Sequence, residues 1–134
     1  MDGLKLSIFS PQRYLLEDEV VEEVILPSTE GQIQILPDHI SMMGILEIGI
    51  FSYRRRGVLE SGFLSAGFFE VDCNSVRLMV ETLEFASEID LSRAQKAYQK
   101  AQAVLQNASL DEVQFKKYQF KLQRALIRQQ VVRK

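Results

Sequence analysis

A sandwich or barrel of short antiparallel strands, followed by a hairpin of two α-helices, is the fold that this sequence predicts. Three observations carry the prediction. Apolar residues alternate with polar ones through roughly the first 85 positions, which is the period of a strand. After Ser87 they recur at steps of three and four, the period of a helix. Every glycine and proline lies at or before Gly67, so turns crowd the first part and no such residue breaks the second.

In "LKLSIF", Leu4, Leu6 and Ile8 share one face and Lys5, Ser7 and Phe9 the other, until Ser10-Pro11 ends the run. "VVEEVILP" is rich in β-branched residues and is expected to end at Pro27. "STEG" reads as a turn, and "QIQIL" as a short strand closed by Pro37. "GILEIGIFSYRRRGVLESGFLSAGFFEVD" supplies three more strands, punctuated by Gly49, Gly57, Gly62 and Gly67. "YRRRG" falls at a solvated hairpin tip, where Gly57 offers a positive φ. "SVRLMVETL" is the last strand. The strands leave no room for crossover helices, which argues against parallel βαβ units.

In the second part, Leu91, Ala94, Tyr98, Ala101 and Leu105 line one helix face, with Asp90 as N-cap. Ser109 and Glu112 match an S-x-x-E capping box opening a second helix. Its stripe is Phe115, Tyr118, Leu122, Ala125 and Leu126. The short link makes the pair antiparallel. The expected domains are residues 1–86 and 87–134. A first helix offering chiefly alanine removes little apolar area from water, so the hairpin is expected to be weakly held and able to open.

Hydrophobic residues make up 46% of the chain and charged ones 25%, which places it among soluble globular domains. No apolar run approaches the roughly 18 residues of a membrane span. The alternating N-terminus fits neither a signal peptide nor a transit sequence. Charge is split along the chain. Residues 1–90 carry 6 basic and 16 acidic side chains, whereas residues 91–134 carry 10 basic and 2 acidic. The basic run from Lys116 onward contains no acid, so it lacks the Glu–Lys pairing of a solvated helix face and favours an acidic partner.

Most chemistry is excluded. A single Cys73 forms no internal disulfide and fits a reducing compartment. His39 is the only histidine, so there is no multi-histidine metal site, and Asp38 beside it points elsewhere on an extended backbone. No phosphate-loop or dinucleotide fingerprint occurs. The carboxylates in 17–23 read as solvated. Phe115, Tyr118 and Phe120 read as packing, and the acidic front would repel a polyanion, so nucleic acid is not an expected partner.

One constellation survives. Folding the second helix back brings Arg124 and Arg128, four apart on one face, towards the start of the first helix, where Asp90 and Arg93 sit, with Glu84 nearby in sequence. Arginines near a helix N-terminus suit phosphate, and a carboxylate suits an adenine amino group or a ribose hydroxyl. Capping plus an interhelical Asp–Arg pair explains the same residues.

The ordered pieces "FSP", "VVEEVILPSTEGQIQILPDHISMM", "GFLSAGFFEV" and "ETLEFASEIDLSRAQKA" resemble the epsilon subunits of F-type ATP synthases (delta in mitochondria) along nearly the whole chain. Gln34, Asp38, Ile40 and Ser41 depart from that family's usual Gly, Gly, Ala and Pro. The resemblance implies a β-sandwich of about ten strands followed by an αα-hairpin, in a non-catalytic rotor subunit with no required cofactor or metal. Its partners would be the gamma subunit and the c-subunit ring. The turn of Glu30, Gly31 and Gln32 would face the c ring, and His39 and Met42 would face gamma. In bacterial and plastid relatives the hairpin extends along gamma into the alpha/beta catalytic ring and blocks ATP hydrolysis. Lys116, Lys117, Lys121, Arg124 and Arg128 are the candidates for meeting an acidic loop of beta. Some relatives hold the hairpin closed with ATP through an I/L-D-x-x-R-A motif. Ile89, Asp90, Arg93 and Ala94 match that motif, and Glu84, Arg124 and Arg128 would complete the ATP site. The implied location is peripheral, on the cytoplasmic face of a bacterial inner membrane or the stromal face of a thylakoid, reached only through the complex. The competing class is a stand-alone nucleotide-sensing or adaptor β-sandwich with a basic helical arm.

Overall fold

The computed structural model describes residues 3–107 and 109–132, in two compact units that meet between Phe85 and Ala86. The first unit holds ten strands: β1 (Leu4–Phe9), β2 (Tyr14–Val21), β3 (Glu23–Ser28), β4 (Gly31–Ile35), β5 (Met42–Leu46), β6 (Gly49–Arg55), β7 (Val58–Leu64), β8 (Gly67–Asp72), β9 (Ser75–Val80) and β10 (Leu83–Phe85). They hydrogen-bond in the order β10-β7-β6-β3-β5-β8-β9-β1-β2, with β4 on β3. A single pair, Ser28 opposite Leu46, links β3 to β5 and joins two five-stranded halves. Leu4, Leu6, Ile8, Phe69 and Leu78 from one half and Val24, Leu26, Phe51, Tyr53 and Leu64 from the other share one buried core. This is a β-sandwich. All pairs are antiparallel except β1 on β9, which the long intervening chain makes possible without a crossover helix.

Three local features depart from the sequence reading. The acidic segment Tyr14–Val21 is a strand of its own, bent by a bulge at Asp18, whose φ is +48°. Ser7, buried against the alternation, is satisfied there: its hydroxyl accepts from the Asp18 amide (3.0 Å) and donates to the Asp18 carboxylate (3.4 Å). Pro27 does not end its strand. Its carbonyl accepts from the Glu47 amide (2.9 Å), and its missing N–H falls where the neighbour of β3 changes from β6 to β5, so no ladder bond is lost. The third departure is the number of strands between Met42 and Asp72, which is four where three are expected.

The Arg56–Gly57 turn has positive φ at both central residues (53° and 77°), the requirement of a type I′ hairpin. Gly67 is a close approach: a Cβ there would lie 1.9 Å from the Met79 carbonyl oxygen.

The second unit contains a short 3₁₀ turn at Ala86–Glu88, then α1 (Leu91–Asn107) and α2 (Glu112–Val132). Asp90 caps α1 through its carboxylate and the Arg93 amide (3.1 Å). The cap of α2 is Asp111, which accepts from the Gln114 amide (2.8 Å), rather than Ser109. Helix α1 buries Ala94 and Ala101, with Leu91, Tyr98 and Leu105 half-buried, as the spacing predicts. In α2 the inward face runs through Tyr118, Leu122, Ala125 and Gln129, whereas Phe115 and Leu126 lie at its exposed edge.

Candidate functional site

The sandwich presents two turns and one face. The β3–β4 turn is polar and exposed at Glu30, Gly31 and Gln32. The Ser28 hydroxyl holds it by donating to the Gly31 carbonyl (2.6 Å) and accepting from the Glu30 amide (3.1 Å).

The second turn, Leu36 to His39, closes with the His39 amide donating to the Leu36 carbonyl (3.2 Å). Asp38 sits in it at φ +67°. Asn74, in the β8–β9 turn, accepts from the Asp38 amide (2.6 Å) and donates to its carboxylate (3.3 Å). The Ser41 hydroxyl adds a bond to Asp72 (2.9 Å). His39 is partly buried, and its Nδ1 lies 2.8 Å from the Ile40 carbonyl oxygen, which can only accept, so Nδ1 carries the proton of the neutral ring. Asp38 is bonded to Asn74 and the His39 ring to the Ile40 carbonyl, so the two neighbours belong to a pinned loop. Met42 packs against the core and Met43 projects outward, 75% exposed.

The face is a row that the sequence reading missed. Ile45, Phe68, Met79, Phe9 and Tyr14 are successive cross-strand partners on β5, β8, β9, β1 and β2. Ile45, Phe68 and Tyr14 are each more than half exposed (61%, 55% and 53%). The Phe9 and Tyr14 rings stand 5.2 Å apart, and Arg77 lies over Phe9 at 5.8 Å. A shallow cleft of about 300 Å³ runs along the row between Phe9, Pro11, Phe68 and Met79. The signal was present in the sequence: "MMGIL", "GFF" and "SIF" are apolar at both parities. The row is flanked by a salt-paired Arg77–Glu70 (3.9 Å), so it is an exposed apolar strip with a polar edge.

Two of the three arginines of "YRRRG" are paired, whereas Arg56, in the turn itself, is exposed. Arg54 pairs with Glu23 (2.9 Å), and Arg55 bridges Glu60 (2.9 Å) and Glu19. The Arg54 hydrogen bond, and then that of Gln34, hold the Glu23 carboxyl below its ordinary value. Burial first, and then the charge of Glu60, push the Tyr53 hydroxyl to about 12. Glu19 and Glu23 thus pin β2 and β3 to β6, which is structural work and not acid–base chemistry.

In the helical unit, Lys100 on α1 and Tyr118, Lys121, Arg124 and Arg128 on α2 line a groove of about 330 Å³ floored by Ala97 and Ala101. The Arg124 Nε is buried without a hydrogen-bond partner. Asp90 and Arg93 are not among the residues lining this groove: Asp90 is engaged as a cap and Arg93 is exposed one turn on. Glu84 lies on β10 opposite Phe63. Lys116 pairs with Glu112 one turn earlier (3.4 Å), so the basic run is not wholly without the Glu–Lys pairing that its sequence was expected to lack, and Lys117 is exposed. Among the described residues, no three His, Cys, Asp or Glu side chains form a metal-holding group.

Residues 3–86 match the family described as "ATP synthase, Delta/Epsilon chain, beta-sandwich domain", and residues 87–133 match "ATP synthase, Delta/Epsilon chain, long alpha-helix domain". The chain is 37% identical to the ATP synthase epsilon chain of Geotalea daltonii and 39% identical to that of Trichlorobacter lovleyi. Each alignment spans 133 residues, 99% of this chain and 96% of the relative. In solved structures, the fold is similar to a chain of the Euglena gracilis mitochondrial ATP synthase OSCP/F1/c-ring assembly, with a TM-score of 0.84 at 23% identity over 94% of this chain and 79% of that one. A chain of the Tetrahymena thermophila mitochondrial ATP synthase central stalk/c-ring gives 0.67 at 13% identity, covering 96% of both.

Proposed function

We propose that this chain, which belongs to the ATP synthase delta/epsilon chain family, is a non-catalytic subunit of the central stalk of an F-type ATP synthase, with a C-terminal hairpin that restrains ATP hydrolysis. The sandwich is the docking part. The Leu36–Ser41 turn and the apolar row from Ile45 to Tyr14 suit a protein shaft, the gamma subunit, because an apolar surface with a polar rim is what a lasting interface needs. The polar Glu30–Gly31–Gln32 tip suits the loops of a c-subunit ring. No helix among the described residues is long and apolar enough to cross a membrane, so the chain would meet the membrane only through these partners.

The observation that carries the regulatory half is the contrast between the two interiors. The sandwich is filled by Phe51, Phe63, Phe69 and leucines at zero to 2% exposure, whereas the buried apolar residues of the helices are Ala94, Ala101, Ala125 and Val131, with Leu91, Tyr98, Leu105, Tyr118 and Leu122 only half-buried. Each missing methylene forgoes about 0.8 kcal/mol of burial, so the hairpin opens at far lower cost than the sandwich unfolds. Once open, α2 offers Lys116, Lys117, Lys121, Arg124 and Arg128 to an acidic loop of the alpha/beta catalytic ring. A ligand that prefers the closed hairpin, with ATP the first candidate, would lift the restraint.

The test is co-purification of the tagged chain from its own cells. Recovery with gamma in the membrane fraction is expected. Recovery of a lone chain, without gamma, would favour a stand-alone adaptor.

A further inference from the structure

We infer that Ser28 is a positioning residue: its hydroxyl holds the Glu30–Gly31–Gln32 tip in the one shape that meets a c-subunit ring, on a backbone fastened to β5, the strand that carries Ile45 of the outward row. The inference rests on the docking reading above and names the group that sets its c-ring contact.

Ser28 ends β3 and opens a hairpin turn, yet it is only 5% exposed. A hydroxyl taken out of water is costly unless it finds partners. This one finds two, both inside the turn. It donates to the Gly31 carbonyl (2.6 Å) and accepts from the Glu30 amide (3.1 Å). The second bond, to the amide two residues on, closes a serine turn that stands in for a backbone turn. The same residue lies opposite Gly31 on β4 and opposite Leu46 on β5. Its chain neighbours complete the attachment to β5: the Thr29 amide donates to the Ile45 carbonyl (3.1 Å), and the Pro27 carbonyl accepts from the Glu47 amide (2.9 Å). Gly49 starts β6 so close to Pro27 that a Cβ there would lie 2.8 Å from the proline Cβ. The tip therefore has a third support in β5, where a simple hairpin has only its own two strands.

That support divides the work. The backbone bonds of Pro27, Ser28 and Thr29 seat the turn on β5, and they remain when the hydroxyl is removed. What is lost is the hold on the Glu30 amide and the Gly31 carbonyl, the two groups that shape the exposed tip. A loosened tip must be ordered again each time it meets its partner, which weakens that contact without touching the row on β5, β8 and β9. The loss thus falls on the c ring and spares gamma.

The experiment measures binding of the assembled alpha, beta and gamma subunits, with the full chain, to immobilised detergent-solubilised c rings, and separately the affinity of the chain for gamma by titration calorimetry. Ser28→Ala should weaken c-ring binding by about tenfold and leave gamma affinity within about twofold of the parent. Ser28→Thr keeps the hydroxyl and should restore c-ring binding to within about threefold. Gly31→Ala disturbs the same tip from its other end: the residue holds φ +107° and an added Cβ meets nothing within 4 Å, so backbone strain is its only effect. It should reproduce the split seen with Ser28→Ala. Unchanged c-ring binding by Ser28→Ala, equal losses towards gamma and the c ring, or failure of Ser28→Thr to restore binding would overturn the inference. A parent assembly that does not bind c rings would overturn the docking reading itself, and this inference with it.

Discussion

Asn74 and Asp38 lie 36 positions apart in the chain, exchange two hydrogen bonds and both hold a left-handed backbone, at φ +62° and +67°. The pair fastens the turn that carries His39 to the tip of the β8–β9 hairpin, where Cys73 at φ +50° completes a type I′ turn. Asparagine and aspartate tolerate this region better than other non-glycine residues because their short polar side chains bond locally. Asn74→Ala should therefore lower stability by about 1 kcal/mol, read as a shift of the urea midpoint with unchanged slope. It should weaken gamma binding by more than that shift implies, because the His39 turn loses its anchor. An unchanged midpoint would mean that the two turns stand independently.

The outward row should behave as an interface and not as a core. Phe68→Ser and Ile45→Ser should leave the urea midpoint within about 0.5 kcal/mol of the parent. Each should cost more than about 1 kcal/mol in gamma binding, measured by titration calorimetry. Equal affinity would move the docking surface elsewhere.

Acid should reach the sandwich through Glu23. Its carboxyl is held below the ordinary 4.5 by the Arg54 hydrogen bond, so the native state favours its ionised form. That contribution is complete above the unfolded value, near 4.5, and is lost as pH falls through the lowered native value. Glu23→Gln should flatten the acid limb of the stability curve below pH 4.5 and lower stability at neutral pH. A parallel curve would show that the Arg54 pair is neutral in effect.

Hydrogen exchange should separate the two units. Amides of α1 and α2 are expected to exchange through openings well below the global unfolding free energy, and amides of β1, β8 and β9 only near it. Equal protection would remove the weak-hairpin premise.

Much of this was legible in the sequence because it is local. The change of period near Ser87 gave the strand–helix boundary, and Asp90 with the Leu91, Ala94, Tyr98, Ala101, Leu105 series gave α1, cap included. What was not legible depends on neighbours distant in sequence. Tyr14–Val21 hides as a strand because the bulge at Asp18 breaks its alternation and its solvent face is acidic. Pro27 looks like a terminator until its missing donor is seen to face a change of neighbour between β6 and β5. Arg54 and Arg55 look free until folding brings Glu23, Glu19 and Glu60 to them. In α2, Asp111 outcompeted Ser109 as cap because the helix begins directly after it. Lys100 stands out only once α1 and α2 lie side by side, where it lines one groove with Lys121, Arg124 and Arg128.

The most direct measurement is ATP hydrolysis by the purified, assembled synthase with and without residues 91–134 of this chain. The complex should assemble with the truncated chain and hydrolyse ATP several-fold faster than the parent. The same rate in both, with assembly intact, would contradict a restraining role for the hairpin.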